Sequence, residues 1–130
     1  MERAVQSASR AFERGDWSRM PAADRAQIMR RVARLIAERV EDIAVLESRD
    51  TGKPLTVARQ DVLGAASVFE YFSQIPEHVS GKKFADDPGF HTYSSREPYG
   101  VVAAIVPWNF PFMIGVWKVA PALAVGNSVV

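Results

Sequence analysis

The chain of 130 residues contains no cysteine. That absence excludes a disulfide framework and a thiolate metal site, and it denies these residues any sulfur nucleophile. Histidine is scarce. Neither His78 nor His91 has a second ligand-type residue at metal spacing, so no metal site is expected from them. An excess of either charge is missing too: Lys and Arg number 16, Asp and Glu 15, for a net charge of +1. That balance gives no electrostatic case for nucleic acid or an anionic membrane surface. No apolar run reaches the roughly 18 residues that a membrane-spanning helix needs. Residues 1–14 have no signal-peptide core. Arg3, Arg10 and Arg14 hint at a transit peptide, and Glu2 and Glu13 argue against one. A cytoplasmic location is the default expectation. Finally, no G-x-G-x-x-G occurs anywhere in the chain.

What is present is globular in composition, with 48% hydrophobic and 24% charged residues. The length suits one domain with a real core. The most informative stretch is VVAAIVPWNFPFMIGVWKVAPALAVGN, residues 101–127. Residues 101–106 are unbroken apolar, which predicts a parallel strand buried on both faces. Pro107 ends it for want of an N–H. Pro111 suits the first turn of a helix over residues 112–125, which tolerates Pro121 with a kink or an early break. Gly126-Asn127 stops that helix, and residues 128–130 begin another strand. The order is strand, turn, helix, strand. In open parallel sheets ligands sit outside the carboxyl ends of the strands, near helix N-termini. Pro107, Trp108 and Asn109 hold that place. The Asn109 amide could stabilise a developing oxyanion, or simply tie down its own turn. Phe110, Met113, Ile114 and Trp117 fall at i, i+3, i+4 and i+7. Such a stripe fits core packing or the wall of an apolar passage.

The upstream chain reads as helices. Residues 1–14 form a short one, with Val5, Ala8 and Phe12 near one face and Gly15-Asp16 after it. Trp17 could pin this arm to the body. A long helix is expected over residues 21–49, with Pro21 at its first position and Asp24 in its first turn. Met29, Val32, Ala33, Ile36, Val40 and Ile43 recur along it at spacings of 3 and 4. Arg25, Arg30, Arg31, Arg34 and Arg39 read as a solvated face diluted by Glu38, Glu41 and Asp42. Asp50-Thr51-Gly52-Lys53-Pro54 breaks the pattern, with Gly52 as a left-handed helix end. Residues 56–74 form a second long helix with Val62, Ala65, Ala66, Phe69, Tyr71 and Phe72 as core candidates, and Pro76 stops it. Residues 75–89 are a connector. Residues 90–97, FHTYSSRE, read as an exposed strand whose edge needs a partner.

Several segments appear in a telling order: Ala11-Phe12 with Trp17-Ser18, LESRDTGKP at 46–54, REPYGVV at 96–102, PWNFP at 107–111, Trp117-Lys118 and PALAVGN at 121–127. Together they resemble the aldehyde dehydrogenase superfamily over nearly the whole chain. The resemblance implies an α/β fold: the N-terminal part of an aldehyde dehydrogenase-like protein, with long helices, an oligomerisation β-ribbon and the start of a Rossmann-like parallel sheet. Residues 1–89 would be the helical N-terminal part of the cofactor-binding domain and 90–100 a ribbon segment. Residues 101–130 would be the first βα(β) of the NAD(P)-binding domain, with the catalytic domain absent.

The activity so implied is NAD- or NADP-dependent oxidation of a small-molecule aldehyde to a carboxylic acid through a cysteine thiohemiacetal. The family's cofactor loop, glutamate and cysteine would lie beyond Val130, where the family continues into Lys-Pro-Ser/Ala-Glu. The chain is therefore expected to be part of a longer protein and inactive alone. Carried over by position, Asn109 would donate to the thiohemiacetal oxygen, and Val106, Pro107, Trp108 and Asn109 would border the cofactor. Phe110, Met113, Ile114 and Trp117 would line the aldehyde tunnel. Lys118 matches a lysine that assists proton exit, with a plain surface lysine as the alternative. Asp50 inherits a part in binding a monovalent cation, K or Na, beside its reading as a capping carboxylate. A homo-oligomer, dimer or tetramer, is expected, with no nucleic acid or membrane partner. The alternative function is a truncated, non-catalytic interaction or oligomerisation module.

Overall fold

The structure, a computed structural model, describes residues 1–85 and 88–130. Helix α1 spans Glu2–Arg14 and ends at Gly15, whose φ of 84° is the left-handed conformation that favours glycine. Trp17 then does pin the arm: its Nε1 donates to the Leu123 carbonyl at 3.0 Å.

The long helix expected over 21–49 is two helices, α2 (Ala22–Glu38) and α3 (Val40–Thr51). Arg39, at φ −106° and ψ 23°, makes the bend. Hydrogen bonding continues through it, from Arg39 N–H to the Leu35 and Ile36 carbonyls and from Ile43 N–H to the Arg39 carbonyl. The bend lets α2 and α3 both pack on α4 (Leu55–Ser73). Tertiary packing thus overrides a locally continuous helical pattern with no glycine or proline at the break.

The core lies between α2, α3, α4 and α5, with Met29, Ala33, Ile36, Ala44, Val62, Ala65, Phe69, Val116 and Ala120 buried in one cluster. Tyr71 does not join it. It is 61% exposed, with its ring set edge-on to Phe72 at 5.1 Å. Arg25 also departs from the expected solvated face. It is 8% exposed, and its guanidinium donates to the carbonyls of Ala124, Met20 and Trp17 at 2.9, 3.0 and 3.3 Å. A cation on the last carbonyls of a helix satisfies acceptors that have no intrahelical partner. Burial lowers the pKa of this guanidinium.

After a 3-10 turn at Ile75–His78 the chain runs to an exposed antiparallel contact. Residues 86–87 of the expected connector lie outside the described residues. The strand expected over 90–97 is reduced, among the described residues, to a bridge of Lys83 with Tyr93. Its bonds run from Phe84 N–H to Thr92 and from Ser94 N–H to Lys82. The pairing leaves its aromatic side chains unburied among the described residues: Phe90 and Tyr93 are 72% and 75% exposed. A Cβ at Gly81 would collide with the Ser94 carbonyl, so close backbone approach requires glycine there.

β1 (Val101–Val102), α5 (Pro111–Ala124) and β2 (Ser128–Val129) form the expected right order, and the two strands pair in parallel, Val101 opposite Ser128. The burial expected for 101–106 is not observed. Ile105 is 82% and Val106 43% exposed. The sheet has only two strands among the described residues, so it covers one side of this segment and leaves the other bare. Asn127 locks the unit. Its Oδ1 accepts from Gly100 N–H at 3.0 Å and its Nδ2 donates to the Ala122 carbonyl at 3.1 Å.

Candidate functional site: the turn before α5

Pro107 to Phe110 carries the chain from β1 to α5. Phe110 is the N-cap, at φ −137° and ψ 54°, and Pro111 occupies the first turn. The first helical bond runs from Ile114 N–H to the Phe110 carbonyl at 3.0 Å. Proline at this position costs no hydrogen bond because the first turn's N–H groups are unpaired anyway. Asn109 stands exposed at the tip. Among the described residues its side chain makes no hydrogen bond, so it does not tie down its own turn. Trp108 is 82% exposed beside it. Val106 rests on bare helix backbone: a Cβ added to Gly115 would lie 3.6 Å from Val106 Cγ1.

The stripe of Phe110, Met113, Ile114 and Trp117 stands off the core. α5 packs inward through Phe112, Val116, Val119, Ala120 and Leu123, a different face. Phe110, Met113 and Ile114 are half-buried and Trp117 is 48% exposed. Met113 approaches α4 at Gly64, where a Cβ would be 3.8 Å from its Sδ. Lys118 is exposed.

The feature that the sequence reading missed lies under the turn. Lys53 Nζ donates to Glu47 Oε1 at 2.8 Å and to Asp61 Oδ2 at 2.7 Å. All three side chains are nearly buried, at 11% exposure for Lys53, 5% for Glu47 and 11% for Asp61. The same ammonium lies over the Phe110 ring, 4.4 Å from its centroid. Burial pulls the Lys53 pKa down, but the hydrogen bonds that its ammonium donates to Asp61 and Glu47, and their charges, outweigh it. The net shift is upward, so the ammonium is held. A signal for this cluster existed. Asp61 falls three residues after Ala58 and four before Ala65, on the buried face of α4, and a carboxylate there requires a partner.

Asp50 is not in that cluster. It is exposed in the last turn of α3. The expected helix end is observed at Gly52, φ 77°, with its N–H on the Ser48 carbonyl. Among the described residues no group of three or more His, Cys, Asp or Glu is placed to hold a metal. No helix of the described residues is long and apolar enough to cross a membrane.

The carboxyl end of β1 and the N-terminus of α5 meet at this turn. They present exposed apolar side chains, Ile105, Val106 and Trp108, at the carboxyl end of a parallel strand. No glycine-rich phosphate cradle follows β1.

Comparison with known proteins agrees with this geometry. The model of the aldehyde dehydrogenase family matches residues 1–130. An NADP/NAD-dependent aldehyde dehydrogenase, PuuC of Escherichia coli, is 41% identical over 100% of this chain and 26% of its own. A betaine aldehyde dehydrogenase of Bacillus subtilis is 39% identical over 98% of this chain and 26% of its own. The crystal structure of the aldehyde dehydrogenase KauB from Pseudomonas aeruginosa superposes with a TM-score of 0.95 at 43% identity, over 98% of this chain and 26% of that one. A betaine aldehyde dehydrogenase variant from Staphylococcus aureus in complex with NAD+ gives 0.94 at 40% identity, over the same shares. The chain spans about a quarter of the length of the curated relatives it matches. With a family match along its whole length and this fold, the chain belongs to the aldehyde dehydrogenase family.

Proposed function

We propose that the protein containing this chain oxidises a small-molecule aldehyde to a carboxylic acid with NAD or NADP, through a thiohemiacetal on a cysteine outside these residues. One observation carries the reading: the Asn109 amide is exposed, with no hydrogen bond among the described residues, at the carboxyl end of a parallel strand and beside a helix N-terminus. An amide donor not bonded to its own chain has no hydrogen bond to break when an oxyanion develops against it. Asn109 donates to that oxygen. Val106, Pro107 and Trp108 border the cofactor through backbone and apolar surface, and the cofactor supplies the hydride acceptor. Phe110, Met113, Ile114 and Trp117 form one wall of the aldehyde passage, consistent with their position off the core. Lys118 assists proton exit from the site. Asp50 contributes one carboxylate to a K or Na site, for which its exposure leaves it available.

The exposed aromatic ribbon, with Phe84, Phe90 and Tyr93, supports a homo-oligomer, dimer or tetramer. The same surface would serve the alternative function, a non-catalytic interaction module. A cytoplasmic setting accompanies the enzymatic reading.

The test is direct. The longest form that the gene encodes is incubated with aliphatic and aromatic aldehydes and either NAD or NADP, and nicotinamide reduction is followed by absorbance. Turnover is expected with that form and none with residues 1–130 alone. A longest form that binds its own kind but reduces no cofactor favours the interaction module.

A further inference from the structure

A charge cluster on α3, α4 and the turn between them reaches the ring of Phe110, beside Asn109. Lys53 sits in the turn between α3 and α4, and it joins Glu47 of α3 to Asp61 of α4 at 2.8 and 2.7 Å. With both carboxylates engaged, the ammonium has one further direction open, and the Phe110 ring occupies it at 4.4 Å. A cation over an aromatic face is attracted by the ring's negative face, most strongly where water is excluded. Phe110 is the residue after Asn109 and the N-cap of α5. The ring that the Lys53 ammonium touches thus belongs to the residue adjoining Asn109.

We propose that Lys53, anchored by Glu47 and Asp61, is a positioning residue for Asn109, acting through the Phe110 ring. It touches no reacting atom. The proposal rests on the aldehyde-oxidising reading for its kinetic consequence, but its structural consequence stands apart. Three features argue for a device rather than a simple helix staple. The Lys53 ammonium is buried with two carboxylates, where one partner would have neutralised it. The Phe110 ring is directed at the Lys53 ammonium and stands off the core cluster. The turn that it fixes contains an amide with no hydrogen bond of its own among the described residues, so nothing else on that side chain sets its direction.

The experiment uses the longest form that the gene encodes. Lys53→Met removes the charge and keeps the stem. E47Q/K53M/D61N removes all three charges and leaves no buried carboxylate unpaired, so it keeps the test readable should Lys53→Met not fold. Crystal structures and steady-state kinetics are measured for each. The expected result is residues 107–110 displaced by about 1 Å, with kcat lowered about ten- to hundred-fold and KM for the cofactor changed far less. An undisplaced turn in a folded variant overturns the proposal, and so does a kcat within about two-fold of wild type. If the wild-type protein oxidises no aldehyde, the functional reading fails by itself, and the displacement of the turn alone decides the positioning claim.

Discussion

Two short turns in this protein each deliver a helix behind a proline, and they treat their polar groups in opposite ways. At the turn between α3 and α4, the half-buried and buried polar side chains are engaged. Ser48 Oγ donates to the Lys53 carbonyl at 2.7 Å, Thr51 Oγ1 donates to the Glu47 carbonyl at 2.7 Å, and Lys53 holds two carboxylates. At the turn between β1 and α5, the Asn109 amide is exposed with no hydrogen bond among the described residues. The first arrangement is what a structural joint requires, because buried polar groups without partners are costly. The second is what a site requires, because a donor already bonded to its own chain has nothing to offer a substrate. The contact of Lys53 with Phe110 couples the two.

The contrast can be broken from its structural side. Lys53→Met strands two nearly buried carboxylates, and a loss of about 3–5 kcal/mol of unfolding free energy is expected from denaturant titration. The pH dependence has a definite sign. The Lys53 pKa is raised in the folded state, so its contribution is fully present below the unfolded-state pKa and fades as pH rises through the folded one. Melting curves taken across the ordinary lysine range and above should show wild type losing this advantage over E47Q/K53M/D61N. A constant gap between the two would contradict it.

Gly52→Ala is milder. It forces a side chain into a φ of 77°, and about 1–2 kcal/mol of destabilisation is expected by the same titration. At the small end is Arg59, which pairs with Glu41 through bonds of 2.8 to 3.0 Å on an exposed surface. Arg59→Ala should leave the melting midpoint unchanged, since exposed ion pairs contribute little. A large drop there would mean that saturation of polar groups, rather than burial, governs this region.

How far all this was legible in the sequence follows from which forces are local. Pro111, Gly52 and the Gly126-Asn127 stop act through their own backbones, and α5 and the end of α3 were predicted from them. The bend at Arg39 was invisible because no residue there dislikes a helix; two packing partners impose it. The apolar run over 101–106 correctly announced a parallel pairing, but burial depends on neighbours that a run of valines cannot reveal. Arg25 counted as solvent-facing because its partners, the carbonyls of Ala124, Met20 and Trp17, are main-chain groups with no sequence signature. The turn at 107–110 stood out because proline, tryptophan and asparagine together mark a connection. The cluster beneath it did not, because the helix-end signal of LESRDTGKP drew attention to Gly52 and away from Glu47 and Lys53, and Asp61, on the buried face of α4, was not matched with them.

The central claim is that the Asn109 turn offers a free amide to the oxygen of a reacting aldehyde. The most direct measurement is kcat for Asn109→Ala in the longest form that the gene encodes, with its melting midpoint taken alongside. We expect kcat to fall about 10²–10³-fold, the usual loss on removing one oxyanion donor, at an unchanged midpoint. Wild-type turnover by that variant would contradict the account.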